Sequence, residues 1–238
     1  WETARRPPPA APLDVVFFRE LLRRSRVIAS ISKLRAEPKR FILVNAGLAA
    51  GGAERQIVNT LRGLESKGFQ DICLIGEYFG HSQGLNFYLP LLEAAKIAAY
   101  PLTNGVRVAE HGFQSVPASL GELLARLPGI MAEEILNLVE EFKSRRPAVV
   151  HAWQDSTSIK VGIAAVIAGV PRIVLASRNL TPVNFGYYQE YMRSAYQALS
   201  EVDSIIFLNN SSAGAVDYCR WLEIPQDRFQ VVRNGVGF

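Results

Sequence analysis

The apolar run that begins at Phe41 ends in a glycine-rich stretch, Asn45-Ala46-Gly47-Leu48-Ala49-Ala50-Gly51-Gly52-Ala53-Glu54-Arg55-Gln56. Gly47 and Gly52 stand at P-loop separation, but Ala53-Glu54 occupy the places where Lys and Ser/Thr would hold a phosphate and its Mg²⁺, so a Walker A loop is excluded. The order Gly47-x-x-x-Gly51-Gly52 does not fit the dinucleotide pattern G-x-G-x-x-G either. What is left is a Gly-Gly pair at the start of a helix, whose bare N–H groups can approach a diphosphate or a sugar hydroxyl. A tight turn that binds nothing accounts for the same pair.

His151 and Trp153 close a second apolar run, Ala148–Ala152, and share one side of it because strand side chains alternate with period two. A histidine there can accept a hydrogen bond from a sugar hydroxyl, and an indole offers a flat platform to a pyranose ring. The plainer reading makes His151 a satisfied core residue and Trp153 a cap on the sheet. Asp155 follows closely, and polar residues end the other runs: Ser177, Arg178 and Asn179, then Asn209 and Asn210, then Arg233, Asn234 and Gly235. His81, His111 and His151 lie apart without ligand-like spacing, and neither Asp-x-Asp nor Gly-x-Ser-x-Gly occurs. No metal and no cofactor are expected. The aromatic stripe Tyr187-Tyr188-x-x-x-Met192 has helical spacing and reads as core.

These residues need a scaffold, and the hydrophobic periodicity supplies one. Strands are expected at Phe41–Ala46, Asp71–Ile75, Ile97–Tyr100, Ala148–Ala152, Arg172–Ala176, Ser204–Leu208 and Phe229–Val232. Helices are expected at Ala53–Lys67, Ala118–Arg126, Ile130–Lys143 (Glu133, Glu134, Glu140 and Glu141 outward), Ser156–Ala168, Phe185–Leu199 and Ser211–Leu222. The helix Ser156–Ala168 is apolar all round and should be buried. Alternating strands and helices imply an α/β domain with a doubly wound, Rossmann-like parallel sheet of about seven strands. In such sheets ligands bind beyond the carboxyl ends of the strands, where the polar residues above converge.

The chain has 238 residues, 49% of them hydrophobic, enough to bury a core. Its net charge of +4 is local: the first 40 residues carry +6 and the remainder −2, which argues against a nucleic-acid partner. Residues 1–38 read as a Pro-rich linker (Pro7, Pro8, Pro9, Pro12) followed by a basic amphipathic helix from Asp14 to about Ala36; residues 39–238 form the main domain. That helix either docks on an anionic membrane surface or packs on protein. Cys73 and Cys219 are expected as buried free thiols. The opening WETARRPPPA lacks the apolar stretch of a signal peptide, and no run is long enough to span a bilayer, so a cytoplasmic protein, peripheral to the membrane at most, is expected. A start at Trp1 suggests an excised piece.

The segment ILVNAGLAAGGAERQIVNTLRGLESKG resembles the large retaining GT-B glycosyltransferase family, whose N-terminal domain opens with a strand, a Gly-Gly-Ala-Glu-Arg turn and a helix. The likeness continues through VVHAWQDSTSIKVGIAAVIAGVPRIVLASRN and IIFLNNSSAGAV to VVRNGVGF, covering roughly residues 40–238. It implies the N-terminal, acceptor-side half of a GT-B fold, with Asn234 and Gly235 as the hinge to a missing C-terminal domain. It also implies a nucleotide-sugar donor as substrate and a saccharide or lipid-linked acceptor, the full protein transferring the sugar with retention and this chain alone inactive. Gly51 and Gly52 would face the donor diphosphate and sugar. Arg55, Trp153, Asp155, Arg178 and Asn179 would face acceptor or sugar, with His151 in the catalytic place. Many relatives carry His-x-His at that strand end; here the second position is Trp153. Such a transfer relies on positioning and on electrostatic stabilisation of the leaving diphosphate. A non-catalytic binding module on the same scaffold is the alternative.

Overall fold

Asp14 starts the first helix as its N-cap: its Oδ1 accepts a hydrogen bond from Phe17 N at 2.9 Å, and α1 runs Val15–Ser32. The computed structural model describes residues 12–69, 71–80, 83–102 and 116–235, so Pro7–Pro9, His81 and His111 lie outside the described residues. Phe17, Phe18, Leu21 and Leu22 of α1 are buried in the main core. The helix therefore packs on the domain and belongs to it, and no structural boundary falls at residue 38. Several of its cations are also engaged, Arg19 with Glu201 at 2.5 Å and Arg23 and Arg24 with Glu20, each at 2.7 Å.

Among the described residues the sheet has seven strands, all parallel: β1 Glu37–Asn45, β2 Ile72–Gly76, β3 Ala98–Pro101, β4 Pro147–Trp153, β5 Arg172–Ser177, β6 Ile205–Asn209 and β7 Phe229–Val231. Their order is β3-β2-β1-β4-β5-β6-β7. The chain winds outward from β1 to β3, then returns to the far side of β1 at β4, so the topological switch lies between β1 and β4. Each expected strand is present to within a few residues. β1 starts earlier than its apolar run because Glu37 N reaches Arg146 O at 2.8 Å, with a register shift before Phe41.

The other helices among the described residues are α2 Gly52–Ser66, α3 Leu89–Ala94, α4 Ala118–Leu124, α5 Met131–Arg145, α6 Asp155–Ala168, α7 Tyr191–Leu199 and α8 Ser212–Leu222. Ile42, Val44, Ile75, Val150, Ala152, Ile173, Leu175 and Phe207 form one sheet face and share a core with α1 and α4 to α8. Leu43, Ile72, Leu74 and Trp153 form the other, under Ile57, Val58 and Leu61 of α2 and Leu92 of α3. α6 is buried from Thr157 to Ala168, as its all-round apolar sequence requires. Cys73 and Cys219 are buried and free.

Three expectations are corrected. The helix placed at Phe185–Leu199 begins only at Tyr191. The preceding residues are tied by side chains instead, Thr181 N and Oγ1 both donating to Asp217 Oδ2 at 2.9 Å and Asn184 Nδ2 to Thr181 O at 3.0 Å. In the stripe that follows, Met192 is buried but Tyr187 is 46% exposed. Glu134 does not point outward; it is buried on Lys160 and Tyr78. The short α3 was not foreseen.

Candidate functional site

The glycine loop delivers an open helix end. Gly51 is the N-cap of α2, in extended backbone, and among the described residues no side chain caps the helix. The N–H groups of its first turn therefore keep their donor capacity and the positive end of the helix dipole. A Cβ on Gly52 would meet nothing within 4 Å, whereas one on Gly51 would run into the Glu54 carboxylate. Glu54 Oε1 accepts from Gln154 Nε2 at 2.9 Å, so the loop from β1 is joined to the end of β4. Gln154 carries that turn with φ 68°, a left-handed conformation that a glutamine adopts only under constraint from its surroundings. The edge of the sheet thus presents N–H donors beside a carboxylate acceptor, a set suited to phosphate oxygens and to sugar hydroxyls.

At the end of β4, His151 and Trp153 do lie on the same face, with ring centroids 5.2 Å apart. Trp153 is 1% exposed and is not an open platform. Its ring is covered by the Arg178 guanidinium, whose Cζ lies 3.3 Å from the ring centroid. Burial, and then the charge of Arg178, push the His151 pKa down to about 3. His151 is therefore neutral at pH 7 and a feeble general base, suited to hydrogen bonding more than to proton abstraction. Burial likewise lowers Arg178 to about 10.

Asp155 faces the interior. Its Oδ1 accepts from Tyr196 OH at 2.9 Å and Tyr218 OH at 2.5 Å, and its Oδ2 from Tyr187 OH at 3.2 Å. It is 4% exposed and its carboxyl is raised by burial against those hydrogen bonds, so it locks α6 to α7 and α8 and does not present an acceptor-facing group. Arg55 and Asn179 are exposed just beyond the strand ends, Asn179 offering its carbonyl to Asn209 Nδ2 at 3.2 Å. Asn234 and Gly235 are exposed but tethered: Asn234 Oδ1 accepts from Arg178 Nη1 at 3.1 Å, and Gly235 is bound by Gln56. His151, Trp153, Arg178 and Asn234 thus form one cluster, while Gly51, Gly52, Glu54 and Gln154 form another.

Two features escaped sequence reasoning. Gln154 gives no local sign of its strained turn. The buried triad Glu77–Lys160–Glu134 did leave one, a lysine inside the otherwise uncharged run Ser156–Ala168. Lys160 Nζ lies 2.8 Å from Glu77 Oε1 and 3.1 Å from Glu134 Oε2, with Thr157 Oγ1 donating to Glu77 and Tyr78 OH to Glu134. It anchors the carboxyl end of β2. Among the described residues no three His, Cys, Asp or Glu side chains are grouped to hold a metal ion.

In the solved structures, HepE of Anabaena bound to UDP and glucose matches with a TM-score of 0.58 at 18% identity, over 83% of this chain and 45% of that one. The lipopolysaccharide outer core galactosyltransferase WaaB matches with a TM-score of 0.53 at 13% identity, over 83% of this chain and 46% of that one. The fold is the Rossmann-like fold of GT-B glycosyltransferases. In sequence, the chain is 29% identical over 236 residues to the Vi polysaccharide biosynthesis protein VipC/TviE of Salmonella typhi, covering 93% of this chain and 39% of that protein. The chain therefore spans less than half the length of the proteins it matches. No family model matches it. Among the described residues no helix is long and apolar enough to cross a membrane.

Proposed function

We propose that this chain is the acceptor-side half of a GT-B glycosyltransferase that moves a sugar from a nucleotide-sugar donor to a saccharide or lipid-linked acceptor, with retention. The observation that carries the reading is the uncapped N-terminus of α2 at Gly51–Gly52, open at the carboxyl edge of the sheet beside the switch between β1 and β4. A complex of HepE with UDP and glucose, and a relative in polysaccharide biosynthesis, support a nucleotide-sugar donor. On this reading the first-turn N–H groups stabilise the departing diphosphate, Glu54 and neutral His151 accept hydroxyl hydrogen bonds, and a further domain supplies most of the nucleotide contacts.

Amide NMR of the chain titrated with UDP-glucose and other sugar nucleotides tests it. The amides of Gly51 to Glu54 are expected to shift selectively at millimolar donor, with no transfer by these 238 residues alone. Unmoved loop amides across the panel would leave the non-catalytic module as the reading, and robust turnover by this chain would contradict the need for a second domain.

Contact with a membrane is proposed for the outer side of α1, where Val16, Val27 and Ile31 stay exposed near Arg23 and Arg26. Because α1 is part of the core, the test is substitution and not deletion: Val27→Ser with Ile31→Ser is expected to weaken binding to anionic vesicles several-fold, and unchanged binding refutes the contact.

A further inference from the structure

Arg178 carries a charge that the described protein does not neutralise. Among the described residues no carboxylate pairs with it, and its one hydrogen-bond acceptor is the neutral amide oxygen of Asn234 at 3.1 Å. Its Nε is buried without a hydrogen-bond partner among the described residues. The two acids on neighbouring elements are turned elsewhere, Asp155 to three tyrosines and Glu54 to Gln154. A guanidinium used only as packing normally finds a carboxylate, because an unpaired charge drawn out of water is costly. The Trp153 ring face compensates part of that cost.

The neighbours are unsatisfied as well. His151 Nε2 and Trp153 Nε1 are buried without hydrogen-bond partners among the described residues. Three unpaired polar atoms thus fall on three adjoining side chains, where buried polar groups ordinarily find partners. They sit toward the carboxyl ends of β4 and β5, the sheet edge at which the proposed site lies.

The geometry points to Arg178 as an oxyanion receptor, parked on Trp153 in the free chain and engaged when a carboxylate or phosphate group of the substrate takes its unpaired N–H groups. The planar fork of a guanidinium matches either group through two parallel hydrogen bonds. Burial is the larger cause of the lowered His151 pKa and the Arg178 charge the smaller, so neutralising Arg178 lifts only that smaller part and the imidazole gains some basicity on binding. The substrate assignment rests on the cleft reading above; the receptor itself is read from the unpaired guanidinium.

The test is NMR of the whole chain, following the Trp153 indole N–H and the His151 ring, with sodium phosphate, sodium glucuronate, glucose and sodium chloride added at matched ionic strength. Saturable shifts with phosphate, glucuronate or both are expected, and none with glucose or chloride; saturation by phosphate alone names a phosphate group as the source, by glucuronate alone a sugar carboxylate. Arg178→Gln should weaken that binding at least tenfold, while Arg172→Gln, at the exposed opposite end of β5, should stay within twofold of the parent. Arg178→Lys, which keeps the charge and loses the fork, should weaken it by an intermediate factor and covers the case in which the glutamine variant unfolds. Absence of saturable shifts with both oxyanions, or equal binding by a folded Arg178 variant, overturns the receptor. The loop amides of Gly51 to Glu54 report donor binding separately, so failure of either idea is distinguished from failure of the other.

Discussion

Gln56 grips Gly235 with both ends of its amide: Nε2 donates to Gly235 O at 2.8 Å and Oε1 accepts from Gly235 N at 3.1 Å. The pair ties α2, which carries Gly51–Gly52, to the chain just past β7, and the neighbouring Asn234 holds Arg178. The exit of the sheet is thereby registered against both residue clusters at this edge.

Replacing Gln56 with Ala removes both bonds. At about 0.5–1.5 kcal/mol net per hydrogen bond, global stability should fall by no more than ~3 kcal/mol. Amide exchange at Val232–Gly235 is expected to accelerate while the β1–β4 ladder keeps its protection.

Lys160→Met strands Glu77 and Glu134 side by side in the interior. Breaking a buried ion pair by removing one partner costs about 3–5 kcal/mol, read as a lower urea midpoint. Adding Glu134→Gln to that variant should recover part of the loss, because only one carboxylate then remains to be neutralised. A stability equal to the parent for Lys160→Met would show that the triad is not an energetic anchor.

His151 links stability to pH. Its folded pKa, about 3, lies below the ordinary 6.5, so between those values the unfolded chain binds the proton and the folded chain does not. The contribution is complete above pH 6.5 and declines as pH falls toward 3, by at most about 1.4 kcal/mol per pH unit. His151→Gln should flatten this part of the profile in urea unfolding at pH 7, 6 and 5.

Gly214→Ala should destabilise although it replaces glycine inside a helix, where alanine ordinarily gains up to ~1 kcal/mol. The new methyl collides with the Asn209 side chain, which donates to Ser177 Oγ at 2.8 Å and to Asn179 O at 3.2 Å and accepts from Ser211 N at 2.9 Å. Overpacking of this kind costs about 1–3 kcal/mol, visible as a lower Tm.

Much of this architecture is legible in local pattern. Apolar runs bounded by glycine and polar residues mark all seven strands, Asp14 and Ser211 cap their helices as their types suggest, and the uncharged run after Ser156 is the buried α6. The Gly51–Gly52 turn and the polar strand ends are likewise visible, because chain-local geometry places them at one edge of a parallel sheet. The directions of single side chains are not. Glu134 turns inward because β2 brings Glu77 and Tyr78, 56 or more residues away in sequence, to the same lysine. Asp155 is claimed by tyrosines from α7, α8 and the loop before α7, and Trp153 is covered by an arginine from the next strand's end. Such choices are made by partners that meet only when β4 docks between β1 and β5, since a charge or an indole settles where long-range packing leaves it a counter-group, whatever its own strand or helix prefers.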